Sequence, residues 1–187
     1  MRTFVAIKIV PDKKLLDIFF NLKKSLAGEA IGWISENNLH LTLRFIGETS
    51  HNQVTEIIQQ LESIGEHFQP FQFELKGIGF FKSRNHPRIL FINGENAGSL
   101  IQLAANIEEK IVSLGFSPEE KAFNPHLTLG RIKLIRDKEV FYSVVNRFIN
   151  THIQWVMVTE IVYYQSILDS CGATYKPLKI IKFNKSK

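Results

Sequence analysis

The tetrapeptide His-Leu-Thr-Leu is written twice in this chain of 187 residues, within "NLHLTLRFIGE" at 38–48 and within "NPHLTLGRIKL" at 124–134. The copies lie nearly half the chain apart. Alternation of apolar and polar residues marks a strand buried on one side. In the first copy Leu39, Leu41, Leu43 and Phe45 share one face, and His40, Thr42 and Arg44 share the other. In the second, Leu127 and Leu129 oppose His126, Thr128 and Gly130. The fold must therefore hold two equivalent strands, each buried through its leucines and each offering an imidazole and a hydroxyl on the opposite face. Such a duplication serves packing alone, or it brings two His-Thr pairs into one pocket.

The surrounding pattern repeats as well. "TFVAIKIV" is β-branched and aromatic and reads as a strand. Pro11 and Asp12 open a helix with Leu15, Ile18, Phe19, Leu22 and Leu26 on one face, ended by Gly28. After the first HLTL strand, Ser50 and Gln53 have capping-box spacing ahead of a helix with Val54, Ile57, Ile58, Leu61 and Ile64 inward. "FQFELKGIGFF" and "RILFING" read as strands joined by "KSRNHP". A helix follows with Leu100, Leu103, Ala104, Ile107, Ile111 and Leu114 on its buried face. After the second HLTL strand comes a helix carrying Val140, Phe141, Val144, Val145 and Phe148; "IQWVMVTEIVYYQSIL" and "YKPLKIIKF" close the chain as strands. The order strand, helix, HLTL strand, helix, strand thus occurs twice. We expect an α+β fold of two pseudo-symmetric lobes in a single bilobal domain over 1–187.

Composition limits what such a fold can do. A hydrophobic fraction of 44% and a charged fraction of 22% suit a soluble globular chain. The net charge of +5 suits a polyanionic substrate without requiring one. One cysteine, Cys171, allows neither an internal disulfide nor a multi-cysteine zinc site, and fits a reducing cytoplasm. The apolar stretch before Pro11 is too short for a signal peptide or a membrane span, so no membrane association is expected. The basic C-terminus, "KIIKFNKSK", is expected to fray.

Two imidazoles with ordinary pKa values near ~6.5 can hold one neutral and one protonated ring at neutral pH, the state needed for a base and an acid acting together. Threonine hydroxyls can donate to non-bridging phosphate oxygens. A ribose that has already closed a cyclic phosphate needs no protein nucleophile, because water attacks in line and the opposite oxygen leaves. The rival use of two histidines is metal binding. Zinc normally takes at least three His, Cys, Asp or Glu ligands, and the partner here is threonine, with only Glu48 near either motif. No Gly-x-Ser-x-Gly occurs, which counts against a serine hydrolase. His51, His67, His86 and His152 lack a repeated context and read as solvated surface residues.

"HLTLRFIG" and "FNPHLTLGR" resemble the two His-x-Thr-x motifs of the 2H phosphoesterase superfamily, closest to its RNA 2′,3′-cyclic phosphodiesterase, or 2′-5′ RNA ligase, branch. "RTFVAIKI", Trp33 and the ending "SILDSCGATYKPL" extend the resemblance over nearly the whole chain. It implies antiparallel-rich sheets lining a central cleft, with helices outside. It also implies metal-free, cofactor-free hydrolysis of 2′,3′-cyclic phosphate ends, on RNA or cyclic nucleotides, to 2′-phosphomonoesters, with ligation as the reverse reaction. Carried over residue by residue, His40 is the proton donor and His126 the proton acceptor, while Thr42, Thr128 and Arg131 bind the phosphate. A monomer is expected. Arg131 lies five residues from His126, the wrong parity for a flat strand, and a bulge or bend near Gly130 can turn it toward the site. The basic run Lys82 to Arg88 can meet an RNA backbone or be a solvated hairpin tip. Phe123 and Trp33 read as core residues before base-stacking ones, and Tyr175 can approach the cleft but is left outside the expected site.

A non-catalytic nucleotide- or RNA-binding module is the competing reading, and intact His and Thr in both motifs favour the enzyme. RNA ends and small cyclic phosphates present the same five-membered ring, so the motifs do not choose between them.

Overall fold

Each helix starts where the sequence supplies a polar cap and an apolar stripe. In the computed structural model, which describes residues 1–169 and 172–184, the Asp12 carboxylate accepts from the Leu15 N–H and opens α1 (Lys13–Ser25). Ser50 and Gln53 form the reciprocal capping box of α2 (His51–His67). Asp137 caps α4 (Lys138–Asn146) through the Val140 N–H, and α3 spans Gly98–Ser113. The expected stripes face inward, with Leu15, Ile18, Phe19, Leu22, Ile57, Leu61, Leu103, Ile107, Phe141 and Val144 all buried. Val140 is exposed, one position off the buried face of α4. α1 stops at Ser25 with Leu26 as its cap, so Gly28 lies in the following turn and not at the helix end.

The strands are β1 (Arg2–Lys8), β2 (Ala30–Trp33), β3 (His40–Glu48), β4 (Phe71–Ser83), β5 (His86–Glu95), β6 (His126–Leu134), β7 (His152–Val158), β8 (Glu160–Asp169) and β9 (Gly172–Lys182). They form two antiparallel sheets, ordered β3-β1-β8-β9 and β2-β6-β5-β4-β7. This is the expected α+β architecture of two similar lobes, with each HLTL strand beside the strand that precedes its lobe's first helix. The lobes are nevertheless not two contiguous halves of the chain. The apolar run after α4 breaks at Thr159 into β7 and β8, and β8 crosses back to the first sheet. β2, which the sequence reading did not assign, comes from the first half but edges the second sheet. α1 packs on β7 and α3 on β3, so each lobe's helix also touches the other lobe's sheet. One large core of apolar side chains from both sheets and all four helices runs through both lobes, beside a smaller cluster of Phe4, Ala6, Val162 and Tyr164.

The β4–β5 connection is tighter than "KSRNHP" suggests. Only Arg84 and Asn85 form the turn, both at positive φ (49° and 63°), the backbone of a two-residue type I′ hairpin. Lys82, Ser83, His86 and Pro87 are therefore strand residues. Among the described residues no helix is long and apolar enough to cross a membrane. Cys171, and the last three residues of the basic tail, lie outside the described residues.

Candidate active site

The two HLTL strands have the same burial pattern over their first six positions, and the same irregularity. Leu39, Leu41 and Leu43 on one side, and Leu127 and Leu129 on the other, are buried as the alternation requires. His40, Thr42, His126 and Thr128 are half-buried on the opposite faces. In β3 the pairing with β1 runs from Ala6 opposite Thr42 to Val5 opposite Arg44, skipping Leu43. In β6 the pairing with β5 runs from Phe91 opposite Thr128 to Leu90 opposite Gly130, skipping Leu129. Each strand is bulged at the second leucine of its motif.

A bulge inserts one residue and reverses the parity of everything after it. Beyond it, Arg44 is buried at 6% exposure on the leucine side, and Phe45 is 58% exposed on the histidine side. That inverts the flat-strand expectation for both residues. In β6 the same bulge buries Gly130 and turns Arg131 outward onto the face of His126 and Thr128. A Cβ on Gly130 would stand 2.8 Å from Ile31 Cγ2, so glycine is what lets β2 close over the bulge.

β3 and β6 belong to different sheets but approach within 8 Å, Cα to Cα. Their histidine faces share one cleft. A charge on His126 opposes a charge on His40, and Arg131 of the second sheet acts electrostatically on Tyr175 of the first. The histidines are held alike. Nδ1 of His40 lies 2.6 Å from the Asn38 carbonyl oxygen, and Nδ1 of His126 lies 2.7 Å from that of Asn124. A carbonyl can only accept, so Nδ1 carries the proton in both rings and Nε2 is left to take or give one. Asn38 sits in a short 3₁₀ turn tied to β9 through its Nδ2 and the Ala173 carbonyl, at 3.1 Å. The second motif is anchored through Gly94, whose N–H donates to the Pro125 carbonyl at 2.9 Å and which has no room for a Cβ against that proline.

Each imidazole is also boxed by aromatic rings, His40 by Phe4 and the edge of Tyr175, at 5.2 and 4.9 Å between centroids, and His126 by Phe81 and Phe91, at 4.9 and 5.4 Å. Burial among these rings pushes both histidines below their ordinary value near 6.5. The backbone carbonyls partly offset this, and His126 lowers His40 further. Burial pushes the Tyr175 phenol upward, keeping it a neutral donor, and Arg131 partly counters that. Among the described residues neither threonine hydroxyl makes a hydrogen bond within the chain, and Arg131 forms no ion pair. No group of three or more His, Cys, Asp or Glu side chains among the described residues is disposed to hold a metal ion.

A family model of the LigT-like phosphoesterases matches this chain twice, over residues 7–91 and again over 90–175, one copy on each HLTL motif. The chain belongs to the LigT-like phosphoesterase family. Within that family it is 37% identical to the RNA 2′,3′-cyclic phosphodiesterase of Aeropyrum pernix over 86% of this chain and 92% of the relative. It is 35% identical to the protein of the same name from Thermotoga maritima, over 98% and 96%. The fold superposes on the crystal structure of TT0787 of Thermus thermophilus with a TM-score of 0.81, covering all of both chains at 21% identity. On E. coli LigT complexed with 3′-AMP the TM-score is 0.71, over 97% and 96%, at 24% identity.

All five residues singled out from the sequence, His40, Thr42, His126, Thr128 and Arg131, lie on the facing sides of β3 and β6. Sequence reasoning noted that Tyr175 can approach the cleft but left it outside the site, and it missed the aromatic box of Phe4, Phe81 and Phe91, because aromatic residues in strands read first as core. Trp33 and Phe123 do pack against the core, Trp33 edge-on to Phe19 at 5.7 Å.

Proposed function

We propose that this LigT-like phosphoesterase is an RNA 2′,3′-cyclic phosphodiesterase acting in the cytoplasm, and that the two HLTL histidines are its acid and base. The carrying observation is the matched pair of imidazoles, each with Nδ1 on the carbonyl two residues upstream. In this reading the cyclic phosphate sits between β3 and β6, with Thr42, Thr128 and Arg131 on its non-bridging oxygens. Nε2 of His126 takes the proton of the attacking water as the water oxygen bonds to phosphorus. The P–O3′ bond breaks opposite it, and O3′ takes the proton of Nε2 of His40. The product is a 2′-phosphomonoester, and solvent returns the proton from His126 to His40. The relatives named RNA 2′,3′-cyclic phosphodiesterase support the substrate class.

The outcome to test is a single product. Oligoribonucleotides ending in a 2′,3′-cyclic phosphate should yield the 2′-phosphate by ³¹P NMR. Turnover should survive EDTA, because hydroxyls, carbonyls and two imidazoles make a poor divalent site. A 3′-phosphate would reverse the docking of the ribose, and chelation-sensitive turnover restored by zinc or manganese would replace the acid–base scheme.

A further inference from the structure

A second cationic feature stands apart from the histidines, at the far end of β6. A cavity of about 270 Å³ opens there between the β5–β6 pair and α4. Arg88, Lys133 and Lys138 line it, with His86 at its edge and Phe141 and Tyr142 behind; no lining residue is acidic. Lys82 adds a fourth cation, 5.7 Å above the ring of Phe80, which itself packs on Phe141 and Tyr142. Among the described residues none of these four cations forms an ion pair; Arg88 makes only a 3.3 Å bond to the Lys133 carbonyl. Like charges line one cavity with no acidic group in the lining, Asp137 and Glu139 flanking Lys138 only outside it and Asp137 capping α4, which costs repulsion in the free protein and is relieved by an anionic ligand.

The position relative to the cleft says which anion. Arg131 projects from the cleft face of β6 and Ile132 beside it is buried, but a second register shift, from Ile132 opposite Ile31 to Leu134 opposite Ala30, breaks the alternation at the exposed Lys133. His126, Thr128 and Arg131 thus follow one another along the cleft face, and the cavity opens past them at the end of the strand on the α4 side of the sheet, the side of Phe80 and not of Phe81 and His126, with Lys133 roughly 15 Å beyond Thr128 at strand rise. A cyclic phosphate is the 3′ end of its chain, so every other phosphate of an RNA substrate leads away from the site.

We propose that the Arg88–Lys133–Lys138 cavity is a backbone-phosphate subsite for RNA several nucleotides upstream of the cyclic end, reached past Arg131 and around the end of β6. This rests on the function proposed above and extends it from a terminal group to a chain. The subsite selects for length, not sequence, because flexible lysines and an arginine contact phosphates and carry no base readout.

The experiment compares wild type with the variant Arg88→Gln/Lys133→Gln/Lys138→Gln, whose substituted side chains are solvent-exposed and hold no core contact. A second triple variant, Lys110→Gln/Lys179→Gln/Lys182→Gln, removes equal charge from α3 and β9. Substrates are a 2′,3′-cyclic mononucleotide and cyclic-ended oligonucleotides of increasing length. Anisotropy of a 5′-labelled, 2′-phosphate-ended octanucleotide reads binding without turnover. The expected result is unchanged kcat/KM on the mononucleotide and about a tenfold higher KM on the octamer for the first variant only, with a shallower salt dependence by roughly 0.7 log units per lost contact. The proposal falls if both triple variants weaken octamer binding equally, if the mononucleotide is affected as much as the octamer, or if octamer binding is unchanged. If wild type hydrolyses no substrate yet binds the octamer through these residues, the catalytic reading fails and the subsite stands.

Discussion

The two lobes use one backbone device to place different side chains. Both HLTL strands present His and Thr on the cleft and both bulge at the second leucine, but the residues after the bulge differ. In the first lobe Arg44 goes inward and Phe45 outward; in the second Gly130 goes inward and Arg131 outward. The inward difference follows from what covers each bulge. β2 lies on Gly130 with no space for a side chain. α3 and the segment before the second motif lie on Arg44, whose guanidinium pairs with Glu108 and with Glu119 (2.8 Å) and donates to the Phe45 and Ser117 carbonyls. The outward difference puts a cation on one wall of the cleft and an apolar ring on the other. In the function proposed above, symmetry supplies the acid–base pair, and its breaking gives the phosphate one charged side.

The largest expected effects test the symmetric part. His40→Ala and His126→Ala should each leave the fold intact and lower turnover by ~10²–10⁴-fold. The double variant should cost little more than either single one, because the two act as a unit. Loss of the base should flatten the acid limb of the pH profile and loss of the acid the alkaline limb. Folded single variants within a few-fold of wild type would end the assignment.

Next come the outward residues, where the lobes should diverge. Arg131→Ala removes charge-assisted hydrogen bonds to the phosphate, worth roughly 1.5–3 kcal/mol, so kcat/KM should fall about 10- to 100-fold. Phe45→Ala removes an exposed ring that can meet a base, so it should raise KM several-fold with kcat held. Equal losses of kcat/KM at the two positions would mean that the post-bulge asymmetry does not serve the phosphate.

The inward residues separate the lobes by stability. Arg44→Ala strands the partners of a nearly buried guanidinium and should cost about 2–3 kcal/mol, discounted from a fully buried pair because Glu108 and Glu119 reach solvent. Gly130→Ala forces Ile31 to move and should cost about 1–2 kcal/mol. Thermal melts resolve the two at roughly 2–4 °C per kcal/mol. If Arg44→Ala melts like wild type, the guanidinium is not what joins the lobes.

The sequence carried the repeat, the helix stripes and His40, Thr42, His126 and Thr128 because each rests on local periodicity or capping chemistry, whereas Arg131 came from the family resemblance against its flat-strand parity. The bulges were half legible. The parity of Arg131 pointed to a bulge or bend near Gly130, but nothing local pointed to a bulge at Leu43, and so Arg44 and Phe45 were placed on the wrong faces. β2 was hidden because a four-residue edge strand, Ala-Ile-Gly-Trp, has no clear alternation. The return of β8 to the first sheet is a tertiary choice that no pattern within "IQWVMVTEIVYYQSIL" encodes. Tyr175 is reached only through that crossover, so its contact with His40 was out of range, although its approach to the cleft was not.

The smallest expected effect concerns protons, and it asks whether the two lobes titrate as one. Both histidines are held below their ordinary value near 6.5, chiefly by burial, and charging His126 opposes charging His40. The pair therefore takes up its two protons in two coupled steps, both displaced to lower pH. The active form carries one proton, so it is most populated between those steps. The pH dependence of kcat/KM reports the free enzyme, and its optimum should therefore lie on the acid side of about 6.5. Above the upper step the neutral pair has no acid, and the rate falls; below the lower step the doubly charged pair has no base. A bound cyclic phosphate is an anion and favours the protonated rings, which raises both steps. The profile of kcat should therefore sit at higher pH than that of kcat/KM. Rates from pH 4 to 9, beside an NMR titration of the two imidazoles, measure both displacements. Coincident profiles, or an optimum of kcat/KM above pH 7.5, would mean that burial among Phe4, Tyr175, Phe81 and Phe91 does not govern these rings.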